Sequence, residues 1–398
     1  MSAAETRPVV KLQPGRNKRV ESGHPWVYSN EVAMDAAAKA LIPGTLVRLE
    51  ASSGKALGVA TFNPHTLVAS RIMDRDSGRV IGREFFAERL EAAQALRRRL
   101  YPEPFYRLVH AEADGLPGLV IDRFGDVLAC QINTAGMALL EAELVAACET
   151  VLKPKAVIFR NDSSARKLEG LAEEVRVVAG EVVGPVELRE NGARFFADVL
   201  AGQKTGWFYD QRENRRFIAS LAKDALLLDL YSFGGGFAVS AALAGAKAVS
   251  AIDRSDPALQ LAAKAADSNR VASRCRFSRG EAFAELERLA GEGARFDIVV
   301  ADPPAFVKSK KDLGAGLKGY RKLARLAAAV VAGNGLLFIA SCSHNVDEAS
   351  FAEAVRRGLA DAGRTGRILL SSGAAPDHPV HPFLPESAYL KAQTIALD

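Results

Sequence analysis

The sequence is poor in the residues that disulfides and metal sites require. Only four cysteines occur among 398 residues, and they are far apart, without a CxxC pair or a Cys/His cluster: Cys130, Cys148, Cys275 and Cys342. Zinc sites and disulfide frameworks depend on close spacings of such residues. We therefore expect neither a bound metal nor a disulfide. The first three cysteines lie in apolar or strand-like runs, which favours a buried packing role for them.

Long apolar runs are also missing. No stretch approaches the roughly 18 uninterrupted apolar residues that a membrane helix needs, and the opening residues contain no apolar signal segment. This predicts a cytoplasmic protein that does not enter a membrane. The net charge of +5 favours a polyanionic partner without requiring one.

The pattern of the first half predicts two small domains. Short β-like runs at 45–49, 56–61 and 67–72, separated by Gly and Pro, predict a small β-barrel within residues 1–76. An amphipathic pattern at 83–101 then predicts a helix. With a second helix over 137–151 and a strand over 156–159, it defines a small α+β domain over 77–185.

The second half alternates apolar strands with Ala-rich helical stretches. We place strands at 226–230, 248–253, 296–301 and 335–340. This βαβ alternation is typical of a doubly wound parallel sheet, here over residues 186–398. Such sheets bind ligands at the carboxyl ends of their strands.

Three consecutive glycines, Gly234, Gly235 and Gly236, follow the first of these strands. Glycines let the backbone approach a ligand closely, and the helix that follows offers free N–H groups. The motif is not GxGxxG, so it is weak evidence for a dinucleotide. It predicts a nucleotide-type loop.

Acidic residues follow the next two strand regions. Asp253 ends the second strand, where a carboxylate can accept hydrogen bonds from both ribose hydroxyls of an adenosine-bearing cofactor. The alternative is that Asp253 only caps the helix that begins near residue 256. Glu281 is a candidate for the adenine end of the same cofactor.

The most specific motif is Asp302-Pro303-Pro304 with Phe306 shortly after it. An apolar strand delivers the carboxylate, and the prolines stiffen the turn and remove backbone donors. Such a turn can hold a planar base. The alternative is a proline turn that merely ends a strand.

Cys342 lies between two serines at the end of the following strand. In a parallel sheet this position faces the functional crevice. Cytosine C5 is a poor nucleophile, but addition of a thiolate to C6 makes C5 enamine-like and able to take a methyl group. Asp302 would assist at N3. The sequence does not identify the base that removes the C5 proton, and we leave His344 out of the catalytic set.

A basic run lies between these two motifs. Lys308, Lys310 and Lys311 follow the Asp-Pro-Pro turn directly. A solvated helix face is the usual meaning of such a run, but its place beside a base pocket favours contact with an RNA backbone.

Taken together, these segments resemble the PUA-domain-containing class I methyltransferases that form 5-methylcytosine in 23S ribosomal RNA. The resemblance covers nearly the whole chain. It is carried by KLQPGRNKRVESGHPWVYSNEV (11–32), RLVHAEADGLPGLVIDRFGD (107–126), GQKTGWFYDQRENR (202–215), DLYSFGGGF, DPPAFVKSK, SCS and DHPVHPFLPESAYLK. The chain departs mildly, with FGGGF where YTGGF is commoner and Glu281 where Asp is usual.

The resemblance implies S-adenosylmethionine as cofactor and RNA as partner, either 23S rRNA or an assembling large subunit. It implies cofactor contacts from Gly234 to Gly236, Asp253, Glu281, Gln203, Arg212 and Asp302, and catalysis by Cys342 with Asp302. Pro303, Pro304, Phe306, Lys308, Lys310 and Lys311 are the expected substrate-binding residues. A homodimer is an open expectation.

Three other interpretations compete with this one. An RNA guanine N-methyltransferase on the same scaffold would use the Asp-Pro-Pro turn and dispense with Cys342. A non-catalytic RNA-binding or ribosome-assembly factor is disfavoured, because a degenerate site tends to lose one of its motifs. A nicotinamide dehydrogenase lacks GxGxxG and a hydride-relay pair.

Overall fold

The computed structural model describes residues 7–398, which form two compact units. The first comprises the chain up to Val186, together with Asp198–Trp207 and Asp377–Ser387. The second comprises Glu187–Ala197, Phe208–Pro376 and Ala388–Asp398. Within the described part, no helix is both long enough and apolar enough to cross a membrane.

The first unit opens with a five-stranded sheet in the order β1-β3-β4-β5-β2. β1 is parallel to β3 and the other pairs are antiparallel. The three predicted strands are confirmed as β3, β4 and β5, with ends shifted by one or two residues. The elements are β1 (Val9–Lys11), α1 (Lys18–Glu21), β2 (Trp26–Tyr28), α2 (Ala36–Lys39), β3 (Thr45–Glu50), β4 (Ala56–Phe62) and β5 (Val68–Asp74).

A second five-stranded sheet follows in the same unit, in the order β10-β9-β8-β7-β6. The helix predicted over 137–151 is two helices, because Leu140 leaves the helical conformation (φ −107°, ψ 19°) between them. The elements are α3 (Arg83–Leu100), β6 (Phe105–His110), β7 (Leu119–Phe124), β8 (Val127–Ile132), α4 (Ala135–Leu139), α5 (Glu141–Leu152), β9 (Ala156–Asn161), α6 (Ala165–Leu168) and β10 (Glu174–Gly180).

Two later segments of the chain, Asp198–Trp207 and Asp377–Ser387, belong to the first unit and contact buried ion pairs in it. The fully buried guanidinium of Arg97 donates to both carboxylate oxygens of Asp114, at 2.6 and 2.8 Å, and to the carbonyl of Asp377 at 3.0 Å. Arg107 pairs with Asp122 at 2.7 Å, and the Thr205 hydroxyl also donates to Asp122. Since buried charges are costly unless they are paired, the segments 198–207 and 377–387 each add a hydrogen bond to a buried ion pair of the first unit.

The second unit carries a seven-stranded sheet flanked by helices. The predicted strands 226–230, 248–253 and 296–301 have the bounds of β13, β14 and β16. The elements are β11 (Val186–Glu190), β12 (Ala193–Ala197), α7 (Arg212–Ser220), β13 (Leu226–Leu230), α8 (Gly236–Leu243), β14 (Ala248–Asp253), α9 (Asp256–Ser268), β15 (Cys275–Arg279), α10 (Ala282–Gly291), β16 (Phe296–Ala301), α11 (Leu313–Val330), β17 (Val331–Ser341), α12 (Glu348–Asp361), β18 (Gly366–Ser372) and β19 (Lys391–Leu397).

The order of this sheet is β15-β14-β13-β16-β17-β19-β18. The first five strands are parallel, but β19 is antiparallel to both of its neighbours. The four strands predicted from the sequence all lie in the parallel part, and β19 is an antiparallel addition that the sequence did not indicate. A parallel strand needs a crossover, usually a helix, whereas the longest helix between β18 and β19 is three residues of 3-10 helix. Between β13 and β16 the chain order switches, the usual location of a ligand crevice.

The core of the second unit lies between the sheet and α10, α11 and α12. Val299, Leu337 and Leu323 are fully buried there. Each such side chain contributes about 1.5–3 kcal/mol through burial. This packing fixes the strand ends from which the candidate site projects.

Candidate active site

The predicted site residues of the second unit gather at one edge of the sheet. Asp253 ends β14, Glu281 follows β15, Asp302 follows β16 and Cys342 follows β17. The glycine loop Gly234–Gly236 follows β13. Because these five strands are parallel, their carboxyl ends meet at the same edge.

Packing within the unit requires two of the three loop glycines. Gly235 has φ +78°, and a Cβ there would lie 2.8 Å from the Cβ of Ala262 on α9. A Cβ on Gly236 would lie 2.4 Å from Nε of Arg215. Both distances are below any normal carbon contact, so larger residues would push the loop away from α9 and α7.

Asp253 holds this loop in place. Its Oδ2 accepts a hydrogen bond from Phe233 N at 2.9 Å and its Oδ1 accepts one from Ser255 N at 2.8 Å. The alternative that Asp253 caps α9 is wrong, because Ser255 is the N-cap and accepts from Ala258 N. A carboxylate has about four acceptor sites, so the half-buried Asp253 retains acceptor capacity for a ligand.

Asp229, within β13, is a buried carboxyl group at this edge that the sequence reasoning did not select. It is buried, its Oδ2 accepts from Ala238 N at 3.0 Å, and its Oδ1 has no partner among the described residues. Burial raises the pKa of Asp229 to about 8, with Asp302 and Asp253 adding to the rise and Arg215 opposing it. The side chain is thus mainly a neutral acid at pH 7. The signal was a carboxylate in an otherwise apolar strand, LLLDL.

Buried cations lie next to the loop. Arg215 donates to Glu190 Oε1 at 2.7 Å, and Arg212 lies 3.5 Å from Glu190 Oε2 with its guanidinium over the ring of Tyr209. Sequence reasoning selected Arg212, but Arg215 is the arginine in contact with Gly236. Gln203 belongs to the first unit, and cofactor contacts from Gln203 and Arg212 stay predictions.

Cys342 lies against the Asp-Pro-Pro turn. Its thiol is 3.9 Å from the carbonyl oxygen of Pro303. Farther along the turn, Val307 N donates to Ser343 Oγ at 3.2 Å. The structure therefore brings together the two motifs that the sequence separates by about 40 residues.

A buried hydroxyl network holds both sides of the cysteine. Ser341 Oγ donates to the Tyr320 hydroxyl at 2.8 Å, and that hydroxyl is 2.9 Å from Ser343 Oγ. Tyr320 comes from α11 and is fully buried. The two serines beside Cys342 are thus fixed to one atom, and no motif in the sequence indicated Tyr320 as their partner.

A lysine from the last strand completes this corner. Lys391, half-buried, donates from Nζ to the carbonyls of Ser343 and Val346, both at 2.7 Å. Burial lowers the pKa of Lys391, while the nearby Cys342 thiol and the carboxylates of Asp347 and Glu348 act in the opposite direction. No motif in the sequence indicated Lys391 as a cation at this corner of the site.

The predicted substrate-binding residues divide into two groups. Pro304 is exposed, and so are Lys308, Lys310 and Lys311, for which the described residues provide no ion-pair partner. Phe306 instead packs 4.7 Å from the ring of Tyr320 and 6.1 Å from Phe283. His344 is exposed and stacks on Tyr389 at 5.0 Å.

Comparisons with known proteins agree with this architecture. Residues 10–75 match the model of a PUA-like domain, and residues 167–357 match that of an S-adenosylmethionine-dependent methyltransferase. A SAM-dependent methyltransferase structure from Streptococcus mutans superimposes with a TM-score of 0.81 at 21% identity, covering 98% of this chain and 100% of that one. At that identity the likeness shows the fold.

The fold and site thus define a class I S-adenosylmethionine-dependent methyltransferase with an N-terminal PUA-like domain. Curated relatives identify the family within this class. The chain is 34% identical over 386 residues to ribosomal RNA large subunit methyltransferase I of Pseudoalteromonas atlantica, covering 96% of this chain and 97% of that protein. It is 35% identical over 391 residues to the protein of the same name from Vibrio cholerae, covering 96% and 98%. The chain belongs to the ribosomal RNA large subunit methyltransferase I family.

The cofactor of this class is S-adenosylmethionine, and the residues at the strand ends fit it. Asp253 has acceptor capacity left, and the exposed Glu281 makes no capping hydrogen bond although it occupies the N-cap position of α10. Both are suited to hydroxyl and amino donors of a nucleoside. The bound cofactor would supply an electrophilic methyl group.

Proposed function

We propose that this methyltransferase acts on ribosomal RNA of the large subunit, and that it methylates carbon 5 of a cytosine in 23S rRNA through a covalent bond between Cys342 and C6. The names of the relatives support the substrate class. The observation that carries the mechanism is the contact of 3.9 Å between Cys342 Sγ and the Pro303 carbonyl. It joins a nucleophile to a turn suited to a planar base.

Two groups on this edge would carry the first step. The Cys342 thiolate adds to C6 and pushes the C5=C6 π electrons toward C5, while Asp302 stabilises the ring at N3. C5 would then take the methyl group that bound S-adenosylmethionine supplies, with S-adenosylhomocysteine as the leaving group. A base removes the proton from C5, the C5=C6 bond reforms, and Cys342 leaves as a thiolate.

The remaining binding residues stay part of this proposal. The exposed Pro304 would contact the base, the buried Pro303 would offer its carbonyl, and Lys308, Lys310 and Lys311 would neutralise RNA phosphates. Phe306, which packs against Tyr320, would act by holding the turn. The PUA-like domain would add RNA affinity. We propose 1–76, 77–185 and 186–398 as the domain limits, with a cytoplasmic location and homodimer formation still expectations.

The test is methyl transfer from labelled S-adenosylmethionine to rRNA from cells that lack the enzyme. Wild type is compared with Cys342→Ala and with Cys275→Ala, which removes a thiol at the start of β15, the edge strand of the sheet, with β14, β13 and β16 between it and β17. Modified nucleosides are identified by mass spectrometry. We expect 5-methylcytosine with wild type and Cys275→Ala and none with Cys342→Ala.

Two other results would overturn the proposal. Methylguanosine formed by wild type and Cys342→Ala alike would assign an N-methylation to the Asp-Pro-Pro turn. The absence of transfer to any rRNA would remove rRNA as the substrate. RNA carrying 5-fluorocytosine adds a direct check, since fluorine on C5 leaves no proton to remove and the adduct with Cys342 should persist.

A further inference from the structure

Lys391 contacts the chain immediately after the cysteine. In the antiparallel pairing of β17 with β19, Lys391 lies opposite Ser341, one residue before Cys342. Its ammonium reaches across to the Ser343 and Val346 carbonyls, at 2.7 Å each. The backbone of Lys391 therefore pairs with the residue before Cys342, and its side chain closes the turn 343–346 after it.

We propose that Lys391 is a positioning residue for Cys342, whose ammonium fixes the turn after the cysteine and stabilises the thiolate that attacks the base. This inference rests on the proposed function of Cys342. A thiolate is stabilised by a nearby cation, and the two hydrogen bonds prevent this cation from turning away into solvent. An ammonium has three protons to donate, so one remains after the two carbonyls are satisfied.

Lys391 differs from the other charged groups nearby in its hydrogen bonds to the turn that follows Cys342. The elements that meet here carry titratable and charged groups that include Asp302, Lys308, Tyr320, His344, Asp347, Glu348, Tyr389 and Lys391. Lys308 is exposed, whereas Lys391 is half-buried. Electrostatic coupling is reciprocal. Burial lowers the pKa of Lys391 and the Cys342 thiolate acts against that fall, so the ammonium favours the thiolate in return.

The hydroxyl network gives this cation a rigid target. Ser341 and Ser343 are both hydrogen-bonded to Tyr320, so the Cys342 backbone is held from the α11 side while Lys391 holds it from the β19 side. Neither group is placed on the reacting atoms. Tyr320 would act by fixing where the thiol points, and Lys391 would in addition stabilise its thiolate form.

The test measures Cys342 reactivity without RNA. Alkylation of the full-length protein by iodoacetamide is followed by peptide mass spectrometry across a pH series, for wild type, Lys391→Met and Lys391→Arg. We expect Cys342 to be alkylated about tenfold more slowly at pH 7 in Lys391→Met than in wild type. The midpoint of its alkylation rate against pH should move to higher pH. Lys391→Arg should restore most of the rate. Lys247→Met, an exposed lysine before β14 at the other sheet edge, is the matched control and should not differ from wild type.

The outcomes separate this inference from the proposed function. If methylation falls in Lys391→Met while its alkylation profile coincides with that of wild type, Lys391 is only structural and the inference is wrong. If neither changes, Lys391 has no role at the site and the inference is also wrong. Methylation retained by Cys342→Ala would refute the proposed function instead, while the alkylation profile would still report on Lys391. Thermal unfolding of each variant identifies any loss of fold.

Discussion

The carboxylate of Asp253 accepts a hydrogen bond from the backbone of Phe233, so the tip of β14 holds the loop that follows β13. A single side chain therefore sets the shape of the glycine loop Gly234–Gly236, and we propose that it also contacts the cofactor. We therefore expect a change of Asp253 to weaken both the loop and the binding of the cofactor.

Asp253→Asn replaces one of two accepting oxygens by a donor. One of the bonds to Phe233 N and Ser255 N is lost, and hydrogen bonds to a charged group contribute about 1.5–3 kcal/mol. We expect affinity for S-adenosylmethionine to fall about tenfold or more, measured by calorimetry. Asp256→Asn, which breaks an exposed ion pair with Arg279, is the control. Equal affinities in all three proteins would contradict the role of Asp253.

Gly236→Ala inserts a methyl group against Arg215. At 2.4 Å from Nε, the methyl must displace a guanidinium that is buried and paired with Glu190. We expect a loss of about 1–3 kcal/mol in the free energy of unfolding and weaker cofactor binding, measured by urea denaturation and calorimetry. Gly291→Ala has open space around it and should be neutral. A variant Gly236→Ala as stable as wild type would show that Arg215 moves away without cost.

Tyr320→Phe removes the hydroxyl between Ser341 and Ser343. Two buried serine oxygens then lose a partner, which costs about 1–3 kcal/mol. We expect lower stability and a lower kcat with an unchanged KM for S-adenosylmethionine, because the residues proposed to bind the cofactor follow other strands. Denaturation and steady-state kinetics check this. A change confined to KM would place the tyrosine in cofactor binding.

The pKa of Asp229, raised to about 8, predicts a pH-dependent stability. The unfolded carboxyl has a pKa near 3.9, so between about pH 4 and pH 8 the folded state binds the extra proton. Stability from this group is full below pH 4 and falls by up to about 1.4 kcal/mol per pH unit as pH rises to 8. Asp229→Asn keeps an acceptor for Ala238 N and should flatten this decline in urea denaturation across pH. Parallel curves for both proteins would mean that Asp229 does not titrate in this range.

The lysines after the Asp-Pro-Pro turn predict a salt effect. Lys310→Gln with Lys311→Gln should weaken rRNA binding and reduce the slope of log K against log salt by roughly 0.7 for each phosphate that the variant no longer neutralises. Filter binding over a salt series measures it. Lys223→Gln with Lys247→Gln removes the same charge from the opposite edge of the sheet. If both double variants give the same slope, the effect is one of net charge alone.

The sequence predicted the parts of this protein that depend on local pattern. β13, β14 and β16 were placed with their observed bounds because each is an apolar run bounded by polar residues or turns. Parallel pairing then brought Asp253, Asp302 and Cys342 to one edge, as expected from the βαβ alternation. What the sequence did not predict are contacts between distant segments. Three such contacts depend on which helix or strand packs where: Arg215 against Gly236, Tyr320 between two serines, and Lys391 at the turn after Cys342. The antiparallel pairing of β19 also had no local signal in the sequence.

The charge network around Arg97 has a consequence for how this protein can be divided. Asp377 completes the partners of Arg97, and Thr205 completes those of Asp122, from far along the chain. A fragment that stops at residue 186 would keep Arg97 and Asp122 but would lose the hydrogen bonds that Asp377 and Thr205 make with them. The first unit is therefore not encoded by one continuous stretch. Transplanting it into another protein would require three separate pieces of sequence to be carried together.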